Sequence, residues 1–316
     1  MSEDVRSHPQ PSTGPAEGPV AIDAVPLRHP WRWVAAGVIL ILAFLFVYGA
    51  ATNDAYGWST FGKYILDERI VSGVWITIQL TVWSMILAIV MAVILAVMRL
   101  SPNPVFRAVS WVYLWVFRGT PVFVQLVFWG LIPTIYKNLQ LGIPFGPTFV
   151  HLDIQSLSMY MTLAILGLAF NEAAYLAEII RAGISSVPEG QSEASTALGM
   201  SWLLTMRRTV LPQAMRVIIP PTGNEFIGQL KTTSLAVAVP FTLDLFGRQR
   251  DIAGVIFQPI PLLLVAAAWY LLITSILMVG QFYLERYFSR GTSRKLTNKQ
   301  LDALAEAQTL GEVGHV

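Results

Sequence analysis

Asn171, Tyr175 and Glu178 recur at i, i+4 and i+7 in an otherwise apolar stretch, a spacing that puts them on one face of a helix. Glu225, Gln229 and Thr232 repeat that spacing further along, with Lys231, Thr233 and Ser234 as nearby donors. Ionisable and strongly polar groups are costly inside a membrane, so each is a functional candidate. The chemistry they offer is recognition. A carboxylate such as Glu178 suits a cation, and hydroxyls or free backbone N–H groups suit an anion. The competing reading is that these groups satisfy one another. Glu178 would then pair with Arg181 in its own helix, and Glu225 with Lys231 from a neighbour.

Metal and nucleotide chemistry have weaker support. The four histidines (His8, His29, His151 and His315) are scattered and lack metal-ligand spacing. There is no cysteine, which excludes disulfides and cysteine-based metal sites. The stretch GWSTFGKY, residues 57–64, fits the first part of a P-loop, but Tyr64 stands where a Ser or Thr should hold magnesium. No strand precedes it, and a phosphate cradle needs strand, loop and helix N-terminus together. No cofactor is expected on this chain. If ATP drives the protein, another chain hydrolyses it.

The elements that position these residues are membrane spans. The chain of 316 residues is 54% hydrophobic and 13% charged, against about a quarter charged in soluble domains. Residues 33–51, 70–98 and 252–284 contain charge-free runs that reach the roughly 20 residues needed to cross the hydrocarbon. Hydropathy predicts an all-α integral membrane protein with about six transmembrane helices, at about 33–51, 70–98, 118–136, 157–180, 217–239 and 262–284. The fifth is the most polar. Arg118, Thr120 and Pro121 are expected to fix the start of the third, and Gly119 and Gly228 to permit close helix approach. Residues 1–28 are rich in Pro, Gly and Ser and read as a disordered tail. Residues 240–261 read as an outer loop holding a short amphipathic helix, and LTNKQLDALAEAQTL near the end of the chain as a helix that is either solvated or laid along the membrane surface.

Lys and Arg are unevenly shared between the two sets of connections. One set holds Arg99, Arg107 and Arg118, then Arg181, Arg207, Arg208 and Arg216, with more at both termini. The other has only Lys63, Arg69, Lys137, Arg248 and Arg250. The positive-inside rule therefore places both termini and the 193–214 connection in the cytoplasm.

That connection reads EASTALGMSWLLTMRRTVLPQA. Its pattern predicts two short helical stretches at the membrane surface. Ser192 is the expected N-cap, Glu193 sits favourably near the first N-terminus, Gly199 allows a turn with positive φ, and Pro212 breaks the second stretch. Met200, Trp202, Leu203, Leu204 and Met206 offer an apolar knob flanked by Arg207 and Arg208. The bland alternative is an amphipathic connector resting on lipid headgroups.

The spacing of Glu193, Ala194, Ser195, Gly199, Thr209, Leu211 and Pro212 resembles the EAA loop of ABC importer permeases, E-A-A-x3-G-x9-I-x-L-P. Ser195 stands where Ala is usual, and Thr209 where an aliphatic is usual. Four further segments, GVWITIQLT from Gly73, FRGTPVFVQ from Phe117, AYLAEIIRAG from Ala174 and IPPTGNEFIGQLKTTSL from Ile219, resemble the polar amino acid permeases of the histidine/glutamine type.

The resemblance implies a type I ABC importer permease fold over residues 70–290, with a cytoplasmic coupling helix. Residues 29–69 would be an extra N-terminal helix and outer loop, and 291–316 a cytoplasmic tail. It further implies ATPase subunits docked on the 193–214 loop, a second permease subunit (identical or related), an extracytoplasmic solute-binding protein and the lipid of a bacterial inner membrane. No nucleic-acid partner is expected. The polar residues inside the spans become a candidate amino acid pathway, worked by alternating access. The rival class is an ion-coupled secondary transporter of small polar solutes.

Overall fold

The computed structural model describes residues 30–136, 138–142, 148–153 and 157–288. The expected tails at 1–28 and 291–316 lie outside these residues. The described chain is almost wholly helical. Helix α1 (Pro30–Thr52) belongs to a unit of its own, residues 1–54. The second unit holds α2 (Trp58–Tyr64), α3 (Glu68–Leu100), α4 (Pro104–Gly119), α5 (Val122–Ile135), α6 (Leu157–Ser185), α7 (Glu189–Ala197), α8 (Trp202–Thr205), α9 (Leu211–Thr232), α10 (Leu245–Ile256) and α11 (Pro259–Phe288).

Among the described residues, four helices are long and apolar enough to cross a membrane: Trp31–Thr52, Glu68–Leu100, Met159–Ser185 and Pro259–Phe288. The chain is a multi-pass membrane protein. The third expected span, 118–136, is the corner at the end of α4 plus α5, and α5 passes the test of length and composition only together with α4. Helices α4 and α5 meet at 103° and together make a fifth candidate span. Pro121 explains the break, because the residue before a proline is pushed out of the helical region. Thr120 is accordingly extended at φ −116°, ψ 144°. Helix α9 does not pass the same test of length and composition; it carries Arg216, Glu225, Lys231 and two internal prolines. An antiparallel hairpin, β1 (Asn138–Gly142) with β2 (Thr148–Asp153), pairs Leu139 with Leu152 between α5 and α6. Hydropathy missed it because a short alternating segment is no span.

Helix α3 packs most extensively on α6. Its buried residues recur every three or four positions, from Ile70 through Ala88, Ala92 and Ala96. Ala88 and Ala92 share a core cluster with Ala169, Ala173, Ala174 and Ala177 of α6. Small side chains let two backbones approach closely, which is how helices associate without a hydrophobic driving force in lipid. Asp67 caps α3 by accepting from the Arg69 N–H at 3.0 Å. The Arg69 guanidinium beside it holds the Asp67 carboxyl below the usual carboxylate range.

Polar bonds cross-brace the bundle. Ser110 donates to the Leu95 carbonyl at 2.9 Å, joining α4 to α3, and the Tyr113 hydroxyl donates to the Phe170 carbonyl at 2.8 Å, joining α4 to α6. Gln229 donates to Ser84 Oγ at 3.0 Å, tying α9 to α3. The short helix expected within 240–261 is α10. Its Leu245 N–H donates to Thr77 Oγ1 of α3 at 3.0 Å.

Candidate functional site

The corner between α4 and α5 is one wall of the site. A helix C-terminus leaves carbonyls without intrahelical partners, and here a buried glutamine collects them. Gln125 Nε2 donates to the Phe117 carbonyl at 3.0 Å, the Thr120 carbonyl at 3.1 Å and Thr120 Oγ1 at 2.8 Å. Asn171 of α6 donates to the same Phe117 carbonyl and to Gln125 Oε1, both at 3.1 Å. Thr120 is the C-cap of α4 and Pro121 the N-cap of α5, and Gln125 and Asn171 bond the carbonyls at this corner. Arg118 points elsewhere, its guanidinium lying over the Tyr175 ring at 5.4 Å.

Against this corner lies a cavity of about 520 Å³. The corner contributes residues 118–122, α6 contributes Asn171, Glu172 and Tyr175, and α9 contributes Glu225, Gly228, Gln229 and Thr232. A second cavity of about 470 Å³ is lined by Arg99, Trp111, Leu114, Trp115 and Glu178, and shares Arg118, Gly119 and Tyr175 with the first. The two helical faces read from the spacing therefore converge. Asn171, Tyr175, Glu225, Gln229 and Thr232 line one cavity, and Glu178 lies in the other.

Several polar groups are already engaged. Glu178 forms an ion pair with Arg181, contacting both Nε and Nη2. Thr232 Oγ1 donates to the Gly228 carbonyl at 3.1 Å, Thr233 to Leu230 at 2.6 Å and Ser234 to Lys231 at 2.7 Å. Thr233, Ser234 and the exposed Lys231 do not line either cavity. Among the described residues no ion pair joins Glu225 to Lys231. Six residues along a helix separate their faces. Close approach is not the reason for the two glycines. A Cβ at Gly119 would meet no heavy atom within 4 Å, and one at Gly228 only Glu225 Oε2 at 3.9 Å.

Glu172 was not singled out from the sequence. It is 5% exposed, lines the larger cavity, and its Oε1 has no partner among the described residues. The available signal was an acidic residue inside the same apolar stretch, three positions before Tyr175. Gln125 is the second omission. Its amide looked like one more polar residue until the bend exposed the carbonyls it serves.

The 193–214 connection folds as two helical arms around a sharp turn. The first arm, α7, starts earlier than expected. Pro188 is its N-cap and Glu189 lies in its first turn, so Ser192 and Glu193 are internal to the helix. The extended proline ends the preceding chain and Glu189 complements the helix dipole. Gly199 has φ +76°. Its N–H bonds to the Thr196 carbonyl at 2.9 Å, and the Met200 N–H to the Ser195 carbonyl at 3.1 Å. This pair of bonds closes a helix around a left-handed glycine.

The second arm runs through α8 and a π-helical turn, Met206–Val210, into α9. Pro212 does not break it. It falls in the first turn of α9, where a missing N–H is tolerated. At the tip, Leu198, Trp202 and Leu203 are 82%, 71% and 70% exposed, and Glu193, Ala194, Arg207, Arg208 and Leu211 are exposed beside them. Met200 and Met206 are half-buried beneath. Helix α9 continues directly from this knob to Glu225, Gln229 and Thr232 in the cavity.

Comparison with known proteins agrees with this architecture. The family model for the binding-protein-dependent transport system inner membrane component matches residues 84–290. The arginine transport system permease protein ArgU of Corynebacterium glutamicum is 57% identical over 291 residues, covering 92% of this chain and 90% of that one. The histidine/lysine/arginine/ornithine transport system permease protein HisM of Escherichia coli K12 is 35% identical over 213 residues, covering 67% and 85%. A crystal structure of an amino acid ABC transporter with histidines aligns at TM-score 0.59 and 30% identity, covering 75% of this chain and 99% of that chain. This chain belongs to the binding-protein-dependent transport system inner membrane components and is a permease subunit of an ABC importer.

Proposed function

We propose that the subunit passes polar amino acids carrying a net positive charge. The observation that carries this reading is the larger cavity of about 520 Å³, whose lining includes Glu172, Glu225 and Arg118. Two carboxylates suit an α-ammonium and a cationic side chain, and Arg118 suits the α-carboxylate. The names of the relatives, which mention arginine, lysine, ornithine and histidine, point the same way.

In this reading two permease subunits enclose the pathway in a bacterial inner membrane. Both termini and the 193–214 loop face the cytoplasm, where ATPase subunits dock on Trp202 and Leu203. ATP is bound and hydrolysed on those subunits. A solute-binding protein delivers cargo on the other side. Closure of the ATPases draws the loops together, and α9 carries the movement to the cavity wall. The test is competition for uptake in vesicles holding the full importer. Arginine, lysine and ornithine should displace labelled arginine, and glutamine and leucine should not. Equal displacement by neutral amino acids would overturn the charge assignment.

A further inference from the structure

Two residues of the 193–214 loop depart from the motif it resembles, Ser195 in place of Ala and Thr209 in place of an aliphatic. The structure brings those two together. Ser195 Oγ lies 2.9 Å from Thr209 Oγ1, joining α7 to the π-helical turn. Ser195 is 4% exposed, so the bond is shielded from water. Its direction follows from proton counting. A hydroxyl has one proton, and Ser195 gives its own to the Gln191 carbonyl at 2.8 Å. Thr209 is therefore the donor to Ser195.

The contacts then close on themselves. The Thr209 carbonyl accepts from Gln213 Nε2 at 2.8 Å, and the same amide reaches Gln191 Oε1 at 3.4 Å. Gln191 and Ser195 belong to the first arm, Thr209 and Gln213 to the second. The π-helical turn is the one irregular stretch between the exposed knob and α9, and such turns often mark functional positions. Left free, it could flex and absorb movement imposed on the knob.

We propose that the Ser195–Thr209 hydrogen bond clamps the two arms of the loop, so that the exposed tip and α9 move as one body and the push of the ATPase reaches the cavity without loss. Ser195 and Thr209 are positioning residues, acting through Trp202 and α9. The proposal rests on the reading that the loop docks the ATPase.

The test is the number of amino acid molecules moved per ATP hydrolysed, measured in vesicles holding the complete importer, with ATPase association measured alongside. Thr209→Val keeps the shape and removes the donor. It should lower the ratio about fivefold, the scale of one lost buried hydrogen bond, with ATPase association unchanged. Thr209→Ser retains the donor and should keep the ratio. Ser195→Ala combined with Thr209→Val abolishes the same bond and should lower the ratio no further than Thr209→Val alone, since two changes that remove one shared contact are not additive. A ratio unmoved by Thr209→Val, equal losses in Thr209→Ser and Thr209→Val, or additive losses in the double variant would overturn the clamp. Loss of ATPase association in Thr209→Val would also overturn it, because the residue would then serve docking. Deletion of the whole loop with association intact would instead sink the docking reading.

Discussion

Asn171 donates its side-chain amide to the main-chain oxygen of Phe117 at 3.1 Å, across 54 residues of sequence. One bond thus fastens the middle of α6 to the end of α4, at the point where the chain turns by 103° into α5. The second anchor is Gln125, which Asn171 also contacts. The cavity wall is built on this corner.

Replacing Gln125 by Leu should therefore destabilise the protein. It removes an amide whose two protons are shared among three corner oxygens, a loss of roughly 1–2 kcal/mol. Thermal unfolding in detergent should shift down by several degrees. An unchanged transition would mean that packing alone holds the bend.

Glycines can be sorted by what a methyl group would meet. At Gly130 a Cβ would stand 2.9 Å from the Ala238 carbonyl oxygen and 3.0 Å from Val239 Cα, both backbone atoms that cannot swing away. Gly130→Ala should cost about 1–3 kcal/mol through overpacking. Gly119→Ala should fold as well as the parent. Unfolding transitions of the two variants, compared directly, check the contrast.

Charge selection predicts an asymmetric defect. Glu172→Gln and Glu225→Gln should each raise the KM for arginine uptake about tenfold, the scale of one charged contact. Expression and ATPase association should hold. A loss of uptake with the KM unaltered would place these carboxylates in the structure of the wall rather than in recognition.

Trp202 and Leu203 are largely exposed and support no buried core. Truncating both to Ala should weaken ATPase binding at least tenfold, as loss of an exposed aromatic anchor does at protein interfaces. The unfolding temperature should stay within a degree or two of the parent. Co-purification with the ATPase measures the first and calorimetry the second.

The legible parts of this protein are those governed by periodicity and length. The long apolar runs became α3, α6 and α11, the positive φ expected at Gly199 is present, and the two polar faces of α6 and α9 meet at a cavity. Hydropathy could not register a 103° bend, because an average over 19 or so residues is blind to direction. The bend in turn hid Gln125, whose role exists only once the corner carbonyls are exposed. Glu172 was passed over for a related reason: helical spacing identifies a face, but which residue on it is buried depends on the neighbouring helix. In the loop, the motif marked Ser195 and Thr209 as departures, and only the fold placed them 2.9 Å apart.

The most direct measurement is arginine uptake into vesicles carrying this subunit with its ATPase and binding protein, assayed with ATP supplied and ion gradients collapsed. Uptake should persist under those conditions and stop when residues 193–214 are deleted. Uptake that survived ATP depletion but vanished with the ion gradient would contradict the account.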